Sequence, residues 1–219
     1  MRVISALYNT PERDYDKMLE NLRLSVLLNC YEFHCYQLDE DPMISFTNVG
    51  IYNAPCYFKP HIIKKALQDF KEDILWLDAD CILRNRVDEM LDNCDVAVTL
   101  RRFDEMKIRD IYDGYLNAGV MAFRYNEPTI EFIDKWIGQL KNGRADQDAI
   151  VRLLLAYNDL FNIGEIFSVN GTKVKILDCD TYNFFYFEDK EAIGKAKIFH
   201  IKGHLREQYY SKVLNGMAR

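Results

Sequence analysis

The sequence predicts an α/β protein with a mostly parallel central sheet and flanking helices. Short apolar runs recur along the chain, and segments with apolar residues at helical spacing separate most of them. One run, "DILWL", is apolar from Ile74 to Leu77, as expected of a strand that is covered on both faces. Strands that alternate with helices favour a layered fold with a parallel sheet. With 219 residues and 49% hydrophobic composition, we expect one domain over residues 1–219.

Seven segments are predicted as strands because they are short, apolar and bounded by polar or turn-forming residues. In chain order they are "RVISALYN", "YEFHCYQL", "DILWL", "DVAVTL", "GVMAF", "VKIL" and "KIFHI". Helices are predicted from Tyr15 to Val26, from Pro60 to Phe70, after Pro128, and from "DQDAIVRLLLAY" onward. Pro60 is expected to open its helix because its fixed φ suits a first turn. The segment "REQYYSKVL" is predicted as a terminal helix.

The net charge, the lack of long apolar runs and the cysteine pattern indicate which partners and compartments to expect. The formal net charge is −6, whereas nucleic-acid recognition needs a basic surface, so no nucleic-acid partner is expected. No apolar run approaches the ~20 residues that a membrane-spanning helix needs, and the N-terminus lacks the apolar stretch of a signal peptide. Six scattered cysteines without a Cys-x-x-Cys pair are typical of a reducing compartment. We therefore expect a cytoplasmic protein, at most peripheral to a membrane.

Two aspartates directly follow the buried strand "DILWL". Ligands of open α/β sheets bind beyond the carboxyl ends of the strands, and residues i and i+2 of an extended segment point the same way, so Asp78 and Asp80 could face one ligand. Their mutual repulsion favours a nearby cation, and oxygen ligands favour Mg²⁺, Mn²⁺ or Ca²⁺, which could neutralise a diphosphate. Two alternatives remain open at this point. In the first, one aspartate would cap a turn and the other would be solvated. In the second, the pair would be the nucleophile and the acid/base of a haloacid-dehalogenase-type phosphatase.

The segment "YLNAGVMAFR" is a second candidate. Asn117, Ala118 and Gly119 precede an apolar strand. Asparagine offers both donor and acceptor groups, and glycine lets the backbone approach a ligand closely. The alternative is an ordinary turn.

The segment "RADQDAIV" is a third candidate, at a predicted helix start. There Asp146 could hold a sugar hydroxyl and Gln147 could reach a reacting carbon. The alternative is that Asp146 is simply the N-cap, since carboxylates suit the N-terminal end of a helix.

The segment "KIFHIKGHLR" is a fourth candidate. His200 ends an apolar strand, Gly203 follows in a tight turn, and Arg206 or Lys202 could then reach a phosphate. A histidine beside two carboxylates is a suitable ligand for Mn²⁺, because imidazole suits transition metals better than Mg²⁺.

Together the four motifs carry a family resemblance. The order Asp-x-Asp, Asn-Ala-Gly, Asp-Gln and His-x-x-Gly-x-x-basic resembles that of GT-A glycosyltransferases. It is most similar to the retaining family that includes glycogenin and bacterial lipooligosaccharide galactosyltransferases, and it spans residues 3 to 206. The resemblance implies a GT-A (Rossmann-like) nucleotide-diphospho-sugar transferase fold. It also implies transfer of a hexose, with retention, from a nucleoside-diphosphate sugar such as a UDP-sugar to a glycan or glycoconjugate acceptor.

The resemblance also implies roles at the reacting end of the donor. Asp78, Asp80 and His200 would hold Mn²⁺, with Mg²⁺ as the alternative. Asp146 and Gln147 would be the catalytic pair, with Asp146 on the donor sugar and Gln147 on its reactive face.

Residues from several segments would bind the nucleotide-sugar. Those implied for the nucleoside, the sugar and the diphosphate are Ala6, Tyr8, Asn9, Lys59, Asp78, Asn117, Gly203 and Arg206. One departure from the family pattern is that its usual lysine is replaced by Arg206, and Glu207 and Gln208 follow instead of proline and tryptophan. Arginine keeps the charge but presents a planar fork.

Three other functions remain as alternatives. A phosphatase would use Asp78 and Asp80 directly. A sugar-1-phosphate nucleotidyltransferase would need a glycine-rich N-terminal loop, and "SALYNTPERD" contains no glycine. A catalytically silent protein would bind the nucleotide-sugar without turnover. The aromatic segment "TYNFFYFED" is predicted to pack in the core because aromatic side chains bury large areas, and an acceptor platform is its alternative role.

Overall fold

The computed structural model describes residues 1–7, 15–38, 54–106, 115–140 and 145–202. Within them the strands are β1 (Arg2–Leu7), β2 (Phe33–Gln37), β3 (Ile74–Leu77), β4 (Cys81–Leu83), β5 (Val96–Leu100), β6 (Leu116–Phe123), β7 (Ile166–Val169), β8 (Thr172–Asp178) and β9 (Ile198–His200). The α-helices are α1 (Asp16–Leu28), α2 (Ala54–Phe70), α3 (Phe103–Met106), α4 (Glu127–Gln139), α5 (Asp146–Leu155), α6 (Cys179–Tyr182) and α7 (Lys190–Lys195). A 3₁₀-helix spans Asp88–Leu91.

A seven-stranded sheet organises the fold, with the strand order β2-β1-β3-β6-β5-β8-β7. Strands β1, β2, β3, β5 and β8 run in one direction, because β1 is parallel to β2 and β3, and β8 is parallel to β5. Strand β6 runs against both β3 and β5, and β7 runs against β8. The predicted mostly parallel sheet with flanking helices is therefore confirmed.

The two faces of this sheet are covered by separate hydrophobic layers. Helices α2, α4 and α5 cover one face, where Ile63, Phe132 and Trp136 are fully buried. Helix α1 covers the other face with Leu22 and Val26. The four residues of β3 are all buried, which explains why "DILWL" shows no polar alternation.

A second, two-stranded sheet lies beyond the end of β3. Strand β4 pairs antiparallel with β9, so that Cys81 lies opposite His200. A small core of its own supports it, in which Phe184 packs with Phe187 and Phe199. Phe184 is therefore in the core, as predicted for the aromatic segment, whereas Phe185, Tyr186 and Phe187 are only half-buried.

Two element boundaries differ from the prediction. Helix α2 begins at Ala54 and contains Pro60, so Lys59 lies inside the helix and not before it. A proline in the second turn costs one intrahelical hydrogen bond, which the burial of Ile63 and Leu67 offsets. Asn117 and Gly119 lie within strand β6, whereas the sequence predicted that they precede the strand.

Strands β4 and β7 were not predicted, and the predicted terminal helix lies outside the described residues. Among the described helices, none is both long enough and apolar enough to cross a membrane.

Candidate functional site

The two aspartates after β3 are fixed by backbone hydrogen bonds. The Asp78 N–H donates to the Gly119 carbonyl at 2.9 Å, which ties the segment to β6. The Asp78 and Asp80 carbonyls accept from the N–H groups of Cys81 and Ile201, each at 2.9 Å. The turn between β3 and β4 is thus hydrogen-bonded both to the central sheet and to the end of β9.

The Asp80 and His200 side chains meet at this turn. His200 Nε2 lies 3.1 Å from Asp80 Oδ1 and 3.9 Å from Asp78 Oδ2. Asp80 and His200 are each 5% exposed, whereas the side chain of Asp78 is 32% exposed and opens the site to solvent. The two carboxylates and the imidazole therefore converge on one point at the surface.

This donor set suits a divalent cation. The ligand atoms of Asp80, Cys81 and His200 lie within 4.8 Å of one another. Asp78 and Asp80 each have an oxygen within 4 Å of His200 Nε2, and two carboxylates beside one histidine favour a positive charge there. A mixed oxygen and imidazole set fits Mn²⁺ better than Mg²⁺. The Cys81 thiol is buried. Its burial, and to a lesser extent the negative charges of Asp80 and Asp78, raise its pKa well above the usual range, so the thiol stays protonated when no metal is bound.

Lys59 connects the aspartate pair to a third carboxylate. Its Nζ lies 3.0 Å from Asp78 Oδ1 and 2.8 Å from Asp146 Oδ2, and it donates to the Ala118 carbonyl at 2.9 Å. Trp76 Nε1 also donates to Asp78 Oδ1, at 2.8 Å. Because Oδ1 of Asp78 is held by Lys59 and Trp76, its Oδ2 is the oxygen that faces His200.

Asp146 is the first residue of α5 and is almost fully buried. The N-cap position belongs to Ala145, so the alternative that Asp146 caps the helix is wrong. Its main-chain carbonyl accepts from Trp136 Nε1 at 2.8 Å, which anchors the helix start to α4. Burial raises the pKa of the Asp146 carboxyl, and Lys59 opposes that rise. The buried carboxylate is thus stabilised by Lys59 and by a hydrogen bond from the Gln147 main chain.

Gln147 lies beside Asp146 and faces β6. Its Oε1 is 3.3 Å from both the Ala118 N–H and Arg101 Nη2, so both groups can donate to it. Arg101 is itself buried, and its Nε donates to the Leu116 carbonyl at 3.0 Å. These bonds hold the side-chain amide of Gln147 next to the Lys59–Asp146 pair.

Asn117 serves an internal role that the sequence did not indicate. Its Oδ1 accepts from the Gly119 N–H and from Asn183 Nδ2, both at 2.9 Å. Both hydrogen bonds to the carboxamide oxygen of Asn117 thus come from within the protein. The Nδ2 group of Asn117 is the part of the side chain that could contact a sugar.

Gly119 also has a different role from the predicted one. A Cβ at this position would lie 2.1 Å from Cε1 of His200. The glycine therefore makes room for the imidazole ring, whereas the sequence indicated close approach of a ligand.

The remaining predicted residues are only partly described. Ala6 lies near the end of β1, two residues beyond the position that pairs with Trp76, which places it beside the end of β3 where Asp78 lies. Tyr8, Asn9, Gly203 and Arg206 lie outside the described residues.

Several residues of the site were missed from the sequence. They are Trp76, Cys81, Arg101 and Asn183, and Thr99 lies behind Asn183 without contacting the metal ligands. Most of them lie in or beside apolar runs, where a single polar residue looks like ordinary strand or core sequence. Their only sequence signal is a hydrogen-bonding side chain within a buried segment, which needs a partner because an unpaired buried polar group is costly.

Comparison with known proteins identifies the class to which this site belongs. The sequence matches the model of the nucleotide-diphospho-sugar transferase family over residues 27–212. The chain belongs to this family. It is therefore a glycosyltransferase, as predicted, and the phosphatase and nucleotidyltransferase alternatives no longer apply. A comparison with curated proteins found no match.

Solved structures support the fold. A glycosyltransferase involved in glycosylation of the major capsid of PBCV-1 has a TM-score of 0.64 and 15% identity, over 94% of this chain and 95% of that chain. The galactosyltransferase LgtC, in complex with donor and acceptor sugar analogues, has a TM-score of 0.55 and 14% identity, over 93% and 88%. The glycosyltransferase GlyE of Streptococcus pneumoniae TIGR4 has a TM-score of 0.51 and 14% identity, over 93% and 55%. This likeness confirms the predicted GT-A fold.

Proposed function

We propose that this glycosyltransferase transfers a hexose from a UDP-sugar, with retention and with bound Mn²⁺, to a glycan or glycoconjugate acceptor. The observation that carries the proposal is the convergence of Asp78, Asp80 and His200 next to the Lys59–Asp146 pair. That group of charges suits a nucleotide-sugar, in which a metal-binding diphosphate joins the nucleoside to a hydroxyl-rich sugar ring.

The metal would be held by Asp78, Asp80 and Nε2 of His200. When bound, it supplies a Lewis acid that stabilises the leaving diphosphate. The imidazole favours Mn²⁺, and Mg²⁺ is the alternative. Cys81 lies close enough to affect which cation the site prefers.

Lys59 and Asp146 would orient the donor. Lys59, which pairs with Asp78, would place positive charge near the phosphate oxygens as negative charge develops there. The Asp146 carboxylate would accept from a sugar hydroxyl, and Asn117 Nδ2 would donate to one. Both side chains are already fixed by partners in the protein, so their geometry is set before the donor binds.

Gln147 would face the reacting carbon. A neutral amide is a weak nucleophile, so we propose a front-face route in which no enzyme adduct forms. The bond from the anomeric carbon to the diphosphate oxygen breaks, and its electron pair stays on that oxygen. The acceptor hydroxyl oxygen then bonds to the same face of the carbon, and its proton passes to the departing diphosphate. A structure of LgtC with a glutamine-to-glutamate change is that of an active-site mutant, which supports a functional glutamine.

Other residues would complete the donor pocket. Ala6, which lies near the end of β1, would line the nucleoside site together with Tyr8 and Asn9, and Gly203 and Arg206 would contact the diphosphate. The LgtC complex with donor and acceptor sugar analogues supports the same pair of partners here.

Nucleoside-diphosphate release tests this proposal. The protein is incubated with a panel of nucleotide-sugars and Mn²⁺, with and without EDTA. We expect release from at least one UDP-hexose, which EDTA suppresses and added Mn²⁺ restores. Asp80→Asn should lower the rate by about 100-fold or more, because a buried metal ligand is lost.

A matched control is Asp148→Asn. Asp148 is also a carboxylate of α5, but it pairs with Arg152 at 2.7 Å, so we expect a rate within about twofold of wild type. Binding of UDP and Mn²⁺ without release from any donor would indicate a silent binding protein. Failure to bind any nucleotide would show that the donor site is wrongly placed.

A further inference from the structure

Asn183 is a fully buried asparagine that contacts His200 from behind. It follows α6, and its main-chain N–H donates to the Cys179 carbonyl at 3.0 Å. Its Oδ1 lies 2.8 Å from His200 Nδ1. Its Nδ2 lies 2.7 Å from Thr99 Oγ1 and 2.9 Å from Asn117 Oδ1. The side chain therefore connects His200 to strands β5 and β6.

The hydrogen-bond network determines which end of the Asn183 amide faces the histidine. The Gly119 main-chain N–H can only donate, so the atom of Asn117 that it contacts at 2.9 Å is the amide oxygen. That oxygen can only accept, so the group of Asn183 beside it is the NH₂. Thr99 donates its own hydroxyl proton to the Asn117 carbonyl at 3.0 Å, and it therefore accepts from the same NH₂.

The orientation of Asn183 then determines the tautomer of His200. The oxygen of Asn183 faces Nδ1, and an oxygen can only accept, so Nδ1 carries the proton. In the neutral ring this leaves the lone pair on Nε2, which lies 3.1 Å from Asp80 Oδ1. The repulsion between this lone pair and the carboxylate oxygen is relieved either by a proton on Nε2, which makes the ring an imidazolium, or by a metal ion that binds both groups. In the neutral ring the free lone pair is therefore available to a cation.

The ring cannot easily escape this arrangement. Its Cε1 and Nδ1 lie against Gly119, where there is no space even for a methyl group. The main-chain N–H of His200 donates to the Phe184 carbonyl at 2.8 Å, so the segment after α6 holds both the backbone and the ring of the histidine.

We propose that Asn183 is a positioning residue that fixes His200 as its Nδ1–H tautomer and thereby presents Nε2 to the divalent cation. The proposal rests on the metal role of His200 in the proposed function. Partners of this kind, which hydrogen-bond to the far nitrogen of a metal-binding histidine, typically change metal affinity by about 10- to 100-fold. Without Asn183, the favoured neutral tautomer carries its proton on Nε2, because that N–H can donate to Asp80.

Histidine ¹⁵N spectroscopy of the full-length protein without metal tests the tautomer directly. The chain has four histidines, and a His200→Gln spectrum assigns the signals of His200. At a pH where the ring is neutral, we expect wild-type His200 to be protonated on Nδ1. We expect Asn183→Leu to move the proton to Nε2. A wild-type ring protonated on Nε2, or an Asn183→Leu ring still protonated on Nδ1, would overturn the proposal. If the variant does not fold, the wild-type spectrum alone still tests which nitrogen of His200 carries the proton.

Thr99→Val is the matched control. It removes one partner of the Asn183 NH₂ but leaves both the Asn183–His200 and the Asn183–Asn117 contacts. We expect the Nδ1–H tautomer to persist, so that a change seen in both variants would indicate a general structural effect and contradict the assigned role.

Mn²⁺ affinity, measured from the spin-resonance signal of free Mn²⁺, gives a second readout. We expect Asn183→Leu to weaken binding by about 10- to 100-fold and Thr99→Val to change it by less than about threefold. Equal affinity in wild type and Asn183→Leu would contradict the positioning role. If wild type binds no Mn²⁺, the proposed metal site fails, while the tautomer measurement still decides the role of Asn183.

Discussion

At the scale of single residues, the site depends on close contacts that a sequence pattern does not show. The resemblance to a known family predicted Asp78, Asp80 and His200 as one group, and the structure brings His200 close to both aspartates. Asn183 could not be predicted in the same way. It lies among aromatic residues in the sequence, and its role depends on hydrogen bonds to His200 and Asn117, which are 17 and 66 positions away in the chain. Such distant contacts leave no local pattern.

Gly119 provides a prediction at this scale. In Gly119→Ala the new methyl group would overlap His200 Cε1, so the ring must shift away from Asp80. We expect a loss of about 1–3 kcal/mol in the free energy of unfolding, which is the usual cost of overpacking a core. We also expect weaker Mn²⁺ binding. Urea denaturation and a Mn²⁺ titration measure the two effects.

The control for this substitution is Gly138→Ala. Gly138 lies in α4, and a Cβ there would have no atom within 4 Å. It should gain about 0.5–1 kcal/mol of stability through helix propensity and leave Mn²⁺ binding unchanged. If Gly119→Ala bound Mn²⁺ as tightly as this control, the packing role of Gly119 would be wrong.

Lys59 provides a second prediction, which depends on pH. Lys59→Met leaves Asp78 and Asp146 without their shared cation, and we expect a loss of about 3–5 kcal/mol at neutral pH. Burial already raises the pKa of Asp146, and loss of Lys59 raises it further. A carboxyl whose pKa is higher in the folded state stabilises the fold when protonated, so the variant loses stability as pH rises through the folded-state pKa. Urea denaturation in EDTA should show a larger deficit at pH 8 than at pH 5.

Lys64→Met is the control on the same helix. Lys64 pairs with Asp134 at the surface, at 2.5 Å, and the two side chains are 26% and 52% exposed. We expect less than about 1 kcal/mol at either pH, because exposed ion pairs contribute little. A pH-independent deficit in Lys59→Met, similar to that of this control, would contradict the assigned role of Lys59 in holding two buried carboxylates.

At the scale of elements, the pairing of β4 with β9 is what delivers His200 to Asp80. Longer elements were predicted well, because α4 and α5 have enough apolar residues to show a helical period, and β3 and β5 are apolar runs bounded by polar residues. Strand β4 has three residues and was not predicted, because so short an apolar run directly after the two aspartates resembles part of a loop. The start of α2 was misplaced because proline is common in first turns, although here it lies further inside.

The small sheet can be tested with Phe199→Ala. Phe199 packs on Phe184 and Phe187, and the guanidinium of Arg84 lies 4.6 Å from its ring centroid. We expect a loss of about 3–5 kcal/mol in unfolding free energy and weaker Mn²⁺ binding, because β9 loses its support. Phe167→Ala is the control, since Phe167 stacks on Phe161 at the far edge of the large sheet. It should lose stability but keep Mn²⁺ affinity; a parallel loss of affinity in both variants would show that β9 has no special role.

At the scale of the whole molecule, the sheet order brings together residues that are far apart in the chain. Strands β3 and β6 are neighbours at the centre of the sheet, so Asp78 meets the Ala118–Gly119 backbone, and α2 and α5 bring Lys59 and Asp146 to the same end. The alternation of strands and helices predicted this class of fold. It could not predict that β6 runs antiparallel between β3 and β5, because strand direction is decided by tertiary packing.

The central claim is that Asp78, Asp80 and His200 hold a divalent cation that binds the diphosphate of a nucleotide-sugar. Calorimetric titration of UDP into the protein tests it most directly, in Mn²⁺ and in EDTA, with wild type and Asp80→Asn. We predict that wild type binds UDP at least about tenfold more tightly in Mn²⁺ than in EDTA, and that Asp80→Asn loses this difference. Equal UDP affinity in Mn²⁺ and EDTA, or an unchanged difference in Asp80→Asn, would contradict the account.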